Sequence, residues 1–209
     1  MFVITADQID SRTGADLVAA EQSRINAQHG TALALPADRT AGDEVQALTD
    51  DAGTALALAL ELTRGRRFHV GIGVGPVRTP LPSATREATG PAFFAARDAA
   101  IRAKRAGIRL AIHWQREPQG TSSPASDAEA LLALLLIVRE RRSDAGWELF
   151  DLLTTGLTQA EAAQRLGISA PAASARAKAA NIKAELAAVP ALVRLLEQTE
   201  RMTRQEPQP

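Results

Sequence analysis

Residues 31–48 read TALALPADRTAGDEVQAL, and the way they fold decides the architecture of the N-terminal half. The run Thr31 to Leu35 predicts a short strand, Gly42 marks a turn, and Glu44 to Leu48 alternates as a second strand. Two strands joined by a tight turn pair antiparallel. A hairpin set inside a strand–helix series makes the sheet mixed rather than doubly wound. Working outward, Phe2 to Thr5 predicts a buried strand and Asp16 to Ala27 a helix. Asp51 to Thr63 predicts an alanine–leucine helix with acidic residues at its positive end. Arg67 to Val77 predicts a strand with Phe68, Val70, Ile72 and Val74 on one face. Gly71, Gly73 and Gly75 then line the other face, where something approaches the backbone closely. Pro91 to Arg105, ended by Gly107, reads as a helix, and Ile108 to Trp114 as the last strand. The order β-α-β-β-α-β-α-β predicts an α+β domain of the ferredoxin-like kind.

Residues 115–127, QREPQGTSSPASD, combine Pro, Gly and Ser as linkers do, and everything after them reads as helix. The expected organisation is a domain over 1–116, a linker over 117–127, an all-α domain over 128–203 and a tail over 204–209. Asp127 is expected to cap a helix running through Arg142, followed by one from Ala145 to Thr155. Gly156 stops that helix, Thr158 and Glu161 form a capping box for the next, and Gly167 ends it. Ser169 caps a further helix with Pro171 in its first turn, Asn181 or Pro190 interrupts the helical stretch, and helix resumes to about Met202.

Within this half, residues 158–181 have the spacing of a helix-turn-helix. Ala162 and Ala163 supply small residues where a second helix crosses, Gly167 can take a positive φ, and Ile168 anchors the corner. Leu157, Leu166 and Ile168 are expected to form the internal core. Double-stranded DNA is the expected partner, through Ser169, Ser174, Arg176, Lys178 and Lys183, with the lysines on phosphate. The alternative is a helical hairpin that only packs. An alanine-rich second helix predicts modest affinity per module, and hence a homodimer reading two half-sites.

Composition narrows the field. The 209 residues contain 43 alanines and no cysteine, and carry 24 basic against 24 acidic side chains. No thiolate metal site, disulfide framework or cysteine nucleophile is available. His29, His69 and His113 are too scattered for a zinc-protease motif. Neutral net charge argues against a non-specific nucleic-acid coat but leaves room for a small local DNA face. The apolar run Leu131 to Val138 is far shorter than a bilayer span, and MFVITADQID lacks the pattern of a signal peptide. The expectation is a cytoplasmic protein with no membrane segment.

Asp7 ends the first strand and Gly42-Asp43-Glu44 occupies the hairpin tip. If the strands pair centrally, Asp7 and Asp43 offer a hard oxygen site for Mg²⁺ carrying a phosphorylated ligand. Taken alone, the triplet is equally the chemistry of a turn. Asp10-Ser11-Arg12 is placed either to hold a phosphate or to form a solvated turn. Arg97 is either a functional cation or an ordinary surface helix residue.

Thr5-Ala6-Asp7-Gln8-Ile9, Ala41-Gly42-Asp43-Glu44-Val45-Gln46, the glycine-alternating run from Val70 to Val77, and Gly90-Pro91-Ala92-Phe93-Phe94-Ala95-Ala96-Arg97 occur in that order. In that ordering the chain resembles the SatD-like family of bacterial proteins. That family is similar to the catalytic domain of class III nucleotidyl cyclases and to GGDEF domains, with a helix-turn-helix appended. The resemblance implies metal-binding roles for Asp7 and Asp43, with Mg or Mn carrying a nucleotide. It implies base-selecting positions at Arg39 and Glu87, and a transition-state cation at Arg97. Phe93 falls where cyclases place an asparagine, and phenylalanine donates no hydrogen bond to developing phosphate charge. Losing such a donor costs about 100- to 1000-fold in rate. The resemblance therefore implies a nucleotide-like pocket with weakened or absent cyclase chemistry, built across a homodimer interface. The expected function is a DNA-binding transcriptional regulator that senses a small phosphorylated effector through Arg12, Arg39, Glu87 and Arg97. The alternatives are a metal-dependent nucleotidyl cyclase or phosphoryl-transfer enzyme, and a cyclase-like domain that serves only as a dimerisation scaffold.

Overall fold

The computed structural model describes residues 1–11, 13–40, 42–114 and 123–205. Those residues form an α+β protein with a five-stranded mixed sheet and eight α-helices. Strands β1 (Phe2–Gln8), β2 (Leu35–Arg39), β3 (Glu44–Thr49), β4 (Phe68–Val74) and β5 (Leu110–Trp114) lie in the order β2-β3-β1-β4-β5. All pairs are antiparallel except the parallel pair β4–β5. The expected order of strands and helices in the N-terminal half is the one observed. The first hairpin strand is displaced. Helix α1 (Val18–His29) runs on into a 3-10 turn at Gly30–Ala32, so β2 begins only at Leu35. Pro36 sits inside β2, where the pairing register shifts. An edge strand tolerates both, because its outer N–H groups have no ladder to complete.

Alternation along the strands sorts the two sheet faces. Val3, Thr5 and Asp7 stand opposite Gly73, Gly71 and His69 on the face covered by α3 (Pro91–Arg105). Phe2, Ile4, Ala6 and Gln8 point to the other face, towards α1 and α2 (Ala52–Thr63). Asp51 caps α2 by accepting a hydrogen bond from the Thr54 N–H at 2.6 Å. What comes close to the β4 glycines is α3. A Cβ placed on Gly71 would lie 2.3 Å from the Ala96 carbonyl oxygen and from the Ala100 nitrogen, and one on Gly73 would lie 2.1 Å from the Ala92 carbonyl oxygen. The alanines at every fourth position of α3 bring helix backbone down onto strand backbone.

By contacts the chain divides into two compact units, Met1–Ala133 with Leu192–Pro209, and Leu134–Ala191. The division falls inside helices α4 (Pro124–Glu140) and α8 (Ile182–Gln205), and residues 117–122 of the expected linker lie outside the described residues. Helix α4 begins three residues before Asp127 and ends two before Arg142. Helices α5 (Asp144–Thr154), α6 (Gln159–Arg165) and α7 (Ala170–Ala179) lie within the second unit. Asn181, at φ +52°, breaks α7 from α8, while Pro190 is carried inside α8.

Candidate functional site

The first unit holds a cleft of about 350 Å³ lined by Gln8, Ser11, Asp16, Arg39, Gly42 and Asp43. Gln8 organises its floor. The side chain leaves β1 on the α1 face and is buried there, donating to the Ala15 carbonyl at 2.7 Å and accepting from the Leu17 N–H at 2.8 Å. One amide thus ties the end of β1 to the two residues that flank Asp16 just before α1. The Gln8 N–H donates to the Asp43 carbonyl at 2.8 Å, which joins the hairpin tip to the end of β1 as the central pairing requires. The Ser11 hydroxyl donates to the Asp43 carboxylate at 2.7 Å. Arg39 donates to the Asp16 carboxylate at 2.6 Å and to the Gly42 carbonyl. The hydrogen bond from Arg39 holds the Asp16 carboxyl below the usual carboxylate range.

The expected site residues are distributed unevenly around this cleft. Arg39 and Asp43 line it, and Arg12 lies outside the described residues. Asp7 does not line it. A strand sends successive side chains to opposite faces, so Asp7 points to the α3 side and accepts from Lys104 Nζ at 2.7 Å. The two strand ends are adjacent, but the Asp7 and Asp43 carboxylates have separate partners. Among the described residues no group of three or more His, Asp or Glu side chains is placed to hold a metal ion. As placed, the two carboxylates are not brought together on one Mg or Mn ion. Glu87 is in a 3-10 turn at Thr85–Glu87 and accepts from the Ser83 hydroxyl at 3.4 Å. Its neighbour Arg86 pairs with Asp38 at 3.1 Å. Arg97 is exposed on α3. Phe93 is 8% exposed and packs with Val3, Leu48, Ala92 and Ala96, so the ring belongs to the core.

Two arrangements escaped the sequence reading. His69 stands opposite Asp7 in the register of β1 and β4. Burial pushes its imidazole below the ordinary histidine range, which keeps it neutral at physiological pH. The second arrangement lies in the helical unit. Arg139 and Arg142 both bind the carboxylate of Glu185, Arg142 at 2.5 Å, and Arg142 also donates to the Ala180 carbonyl at 3.1 Å. The Arg142 guanidinium lies 4.4 Å from the Trp147 ring centre and 4.5 Å from that of Phe150. Nothing in the local pattern of Arg139-Glu140-Arg141-Arg142 separates the buried arginines from the exposed Glu140 and Arg141. The available signal was the pairing of two arginines three apart with two aromatics three apart.

In the same unit Thr158 and Glu161 make both hydrogen bonds of a capping box at the start of α6. Gly167 takes φ +65° between α6 and α7, and Ser169 caps α7 by accepting from the Ala172 N–H. Ala162 packs with Leu149, Ala177, Ala180 and Ile182, so the two helices meet through alanines. Leu166 flanks that cluster, while Leu157 and Ile168 are only half-buried. Ser174, Lys178 and Lys183 are exposed. Arg176 is half-buried and turned to Glu148 of α5 at 3.6 Å. The Ser169 hydroxyl is occupied by its capping bond.

Fold and site define an α+β protein with a small polar cleft beside its sheet and a compact helical unit. In comparisons with protein-family models, with curated proteins and with solved structures, the chain matches none. No helix among the described residues is long and apolar enough to cross a membrane.

Proposed function

We propose that the chain is a DNA-binding transcriptional regulator, with α6 and α7 as a helix-turn-helix and α7 as the helix that enters the major groove. The observation that carries this reading is the capped α6–Gly167–α7 corner packed on alanines, with Ser174 and Lys178 exposed on α7 and Lys183 just beyond it. A small-residue crossing and a positive-φ turn are what such a pair requires. Arg176, drawn towards Glu148, serves a phosphate only by leaving that partner.

The ferredoxin-like, cyclase-like first domain of the SatD-like resemblance is taken as the sensor. Its effector is a small phosphorylated, nucleotide-like molecule held in the cleft at Arg39 and Ser11. Binding there displaces Asp16 from Arg39, and no metal is assigned. The separate partners of Asp7 and Asp43 and the core position of Phe93 favour sensing over catalysis. The protein acts as a homodimer on two half-sites.

The test is titration of the full chain against genomic fragments at low salt, with and without a nucleotide panel. The expected result is a shifted fragment whose affinity changes with one nucleotide, reciprocally for both ligands. No shift under any condition overturns the DNA-binding reading. A shift indifferent to every nucleotide, with thermal stability unchanged by any of them, overturns the sensor reading and leaves the DNA-binding one standing.

A further inference from the structure

We propose that the outer face of α4 is a self-pairing surface, through which two copies of the chain associate antiparallel about a two-fold axis passing Leu134. Leu131, Leu134 and Ile137 are 46%, 61% and 45% exposed, while Ala128, Leu132, Leu135 and Leu136 bury the opposite side of the same helix. A helix with one solvated side carries polar residues there. Single exposed apolar residues are ordinary, but a stripe of large ones one turn apart marks a contact surface.

The symmetry of the stripe identifies its occupant. At three residues either side of Leu134 stand Leu131 and Ile137. At four stand Ala130 and Val138, and at seven stand Asp127 and Arg141. Apolar answers apolar, and acid answers base. Asp127, Leu131, Leu134, Val138 and Arg141 also follow the alternating four-and-three spacing of a helix-pairing seam. Arg141 directly follows the helix, its N–H donating to the Val138 carbonyl at 3.3 Å. Turning a second copy half a revolution about Leu134 sets Leu134 on Leu134 and Leu131 beside Ile137. It also sets the acidic end of each helix beside the basic end of the other, the two charge pairs lying about 21 Å from one another along the axis at 1.5 Å per residue. A parallel pair places like charges together at both ends, which is unfavourable. An isologous two-fold contact demands a surface complementary to itself, and this one is. The inference does not rest on the DNA-binding or sensor reading.

Sedimentation velocity on the full chain, over a concentration series reaching the high micromolar range, reads the association. A four-turn helix pair is smaller than a standard interface, so the dimer is expected to depend on concentration. Leu134→Glu places two carboxylates on the axis and is expected to give monomer at every concentration. Asp127→Arg and Arg141→Asp each set like charges together at both ends and are expected to raise the dissociation constant about tenfold or more. The combined reversal restores opposite charges and is expected to recover dimerisation. All these positions are exposed, and far-UV circular dichroism checks that each variant is folded. The chain has no cysteine, so Leu134→Cys introduces one thiol, expected to cross-link two copies under mild oxidation where Phe94→Cys on α3 does not. Wild-type monomer throughout, a dimer indifferent to Leu134→Glu, a double reversal no better than the single ones, or preferential cross-linking at residue 94 overturns the proposal.

Discussion

Glu185 is 1% exposed and is shared by two arginines that are themselves buried. One carboxylate faces two guanidinium groups inside the helical unit, and the Trp147 and Phe150 rings lie against them. Ring faces are electron-rich and stabilise a desolvated cation. Removing the carboxylate takes a buried anionic partner from both arginines. Glu185→Gln keeps the shape and is expected to destabilise the chain by about 3–5 kcal/mol, read by urea denaturation. Replacing Glu185 with Leu while Arg139 and Arg142 become Met is expected to recover most of that loss. Asp16 belongs to the same scale. Its folded carboxyl titrates below its unfolded value because Arg39 donates to it. Its stabilising contribution is therefore present above the unfolded pKa of about 3.9 and is lost as pH falls through the folded one. Carboxyl NMR titration is expected to find the Asp16 midpoint depressed, and Arg39→Gln is expected to move it back upward.

Among the elements, β4 and α3 are the pair with the least freedom. Any side chain on Gly73 must displace helix backbone rather than a side chain that can turn aside. Gly73→Ala is expected to cost about 2–3 kcal/mol, at the upper end of overpacking penalties, in a denaturant titration. Gly30→Ala meets nothing within 4 Å and serves as the control with little effect. This pair also shows what was legible in the sequence. Alternating glycines predicted a close approach, and alanines four apart in the Pro91–Arg105 helix were there to make it. The missing step was to match the two periodicities. The strand expected at Thr31 to Leu35 failed because local alternation says nothing about where α1 stops. Leu33 and Leu35 are half-buried, and the Gly30–Ala32 turn absorbs the residues that a strand would have used. Capping boxes were legible for the opposite reason, since the Thr158–Glu161 hydrogen bonds involve only neighbours in sequence.

Over the whole molecule, charges cancel, 24 against 24, but they do not cancel locally. The exposed cations assigned to DNA are Lys178 and Lys183, with Arg176 held by Glu148. So few phosphate contacts predict a shallow dependence of DNA affinity on salt in the titration proposed above, with each lysine contributing a slope of about −0.9 in the log–log plot. Lys178→Ala is expected to remove about one such increment without changing sequence preference. The candidate cleft was half legible from sequence. Arg39 and Asp43 were singled out and line it, whereas Gln8 and Asp16 were not, because their roles arise from a buried amide and an ion pair 23 residues apart. The adjacency of the β1 end and the hairpin tip was legible, but the side to which the Asp7 side chain turns, towards Lys104, follows from the strand register and was not.

The fit of α3 on β4 has a mechanical consequence. Ala92, Ala96 and Ala100 sit in notches left by Gly73 and Gly71, so sliding the helix along the strand by less than a full repeat drives backbone into backbone. Helix and strand act as a ratchet with its pawl engaged. On the proposed sensor reading, effector binding would then act on groups held by replaceable hydrogen bonds, above all those made by Gln8, Ser11 and Arg39.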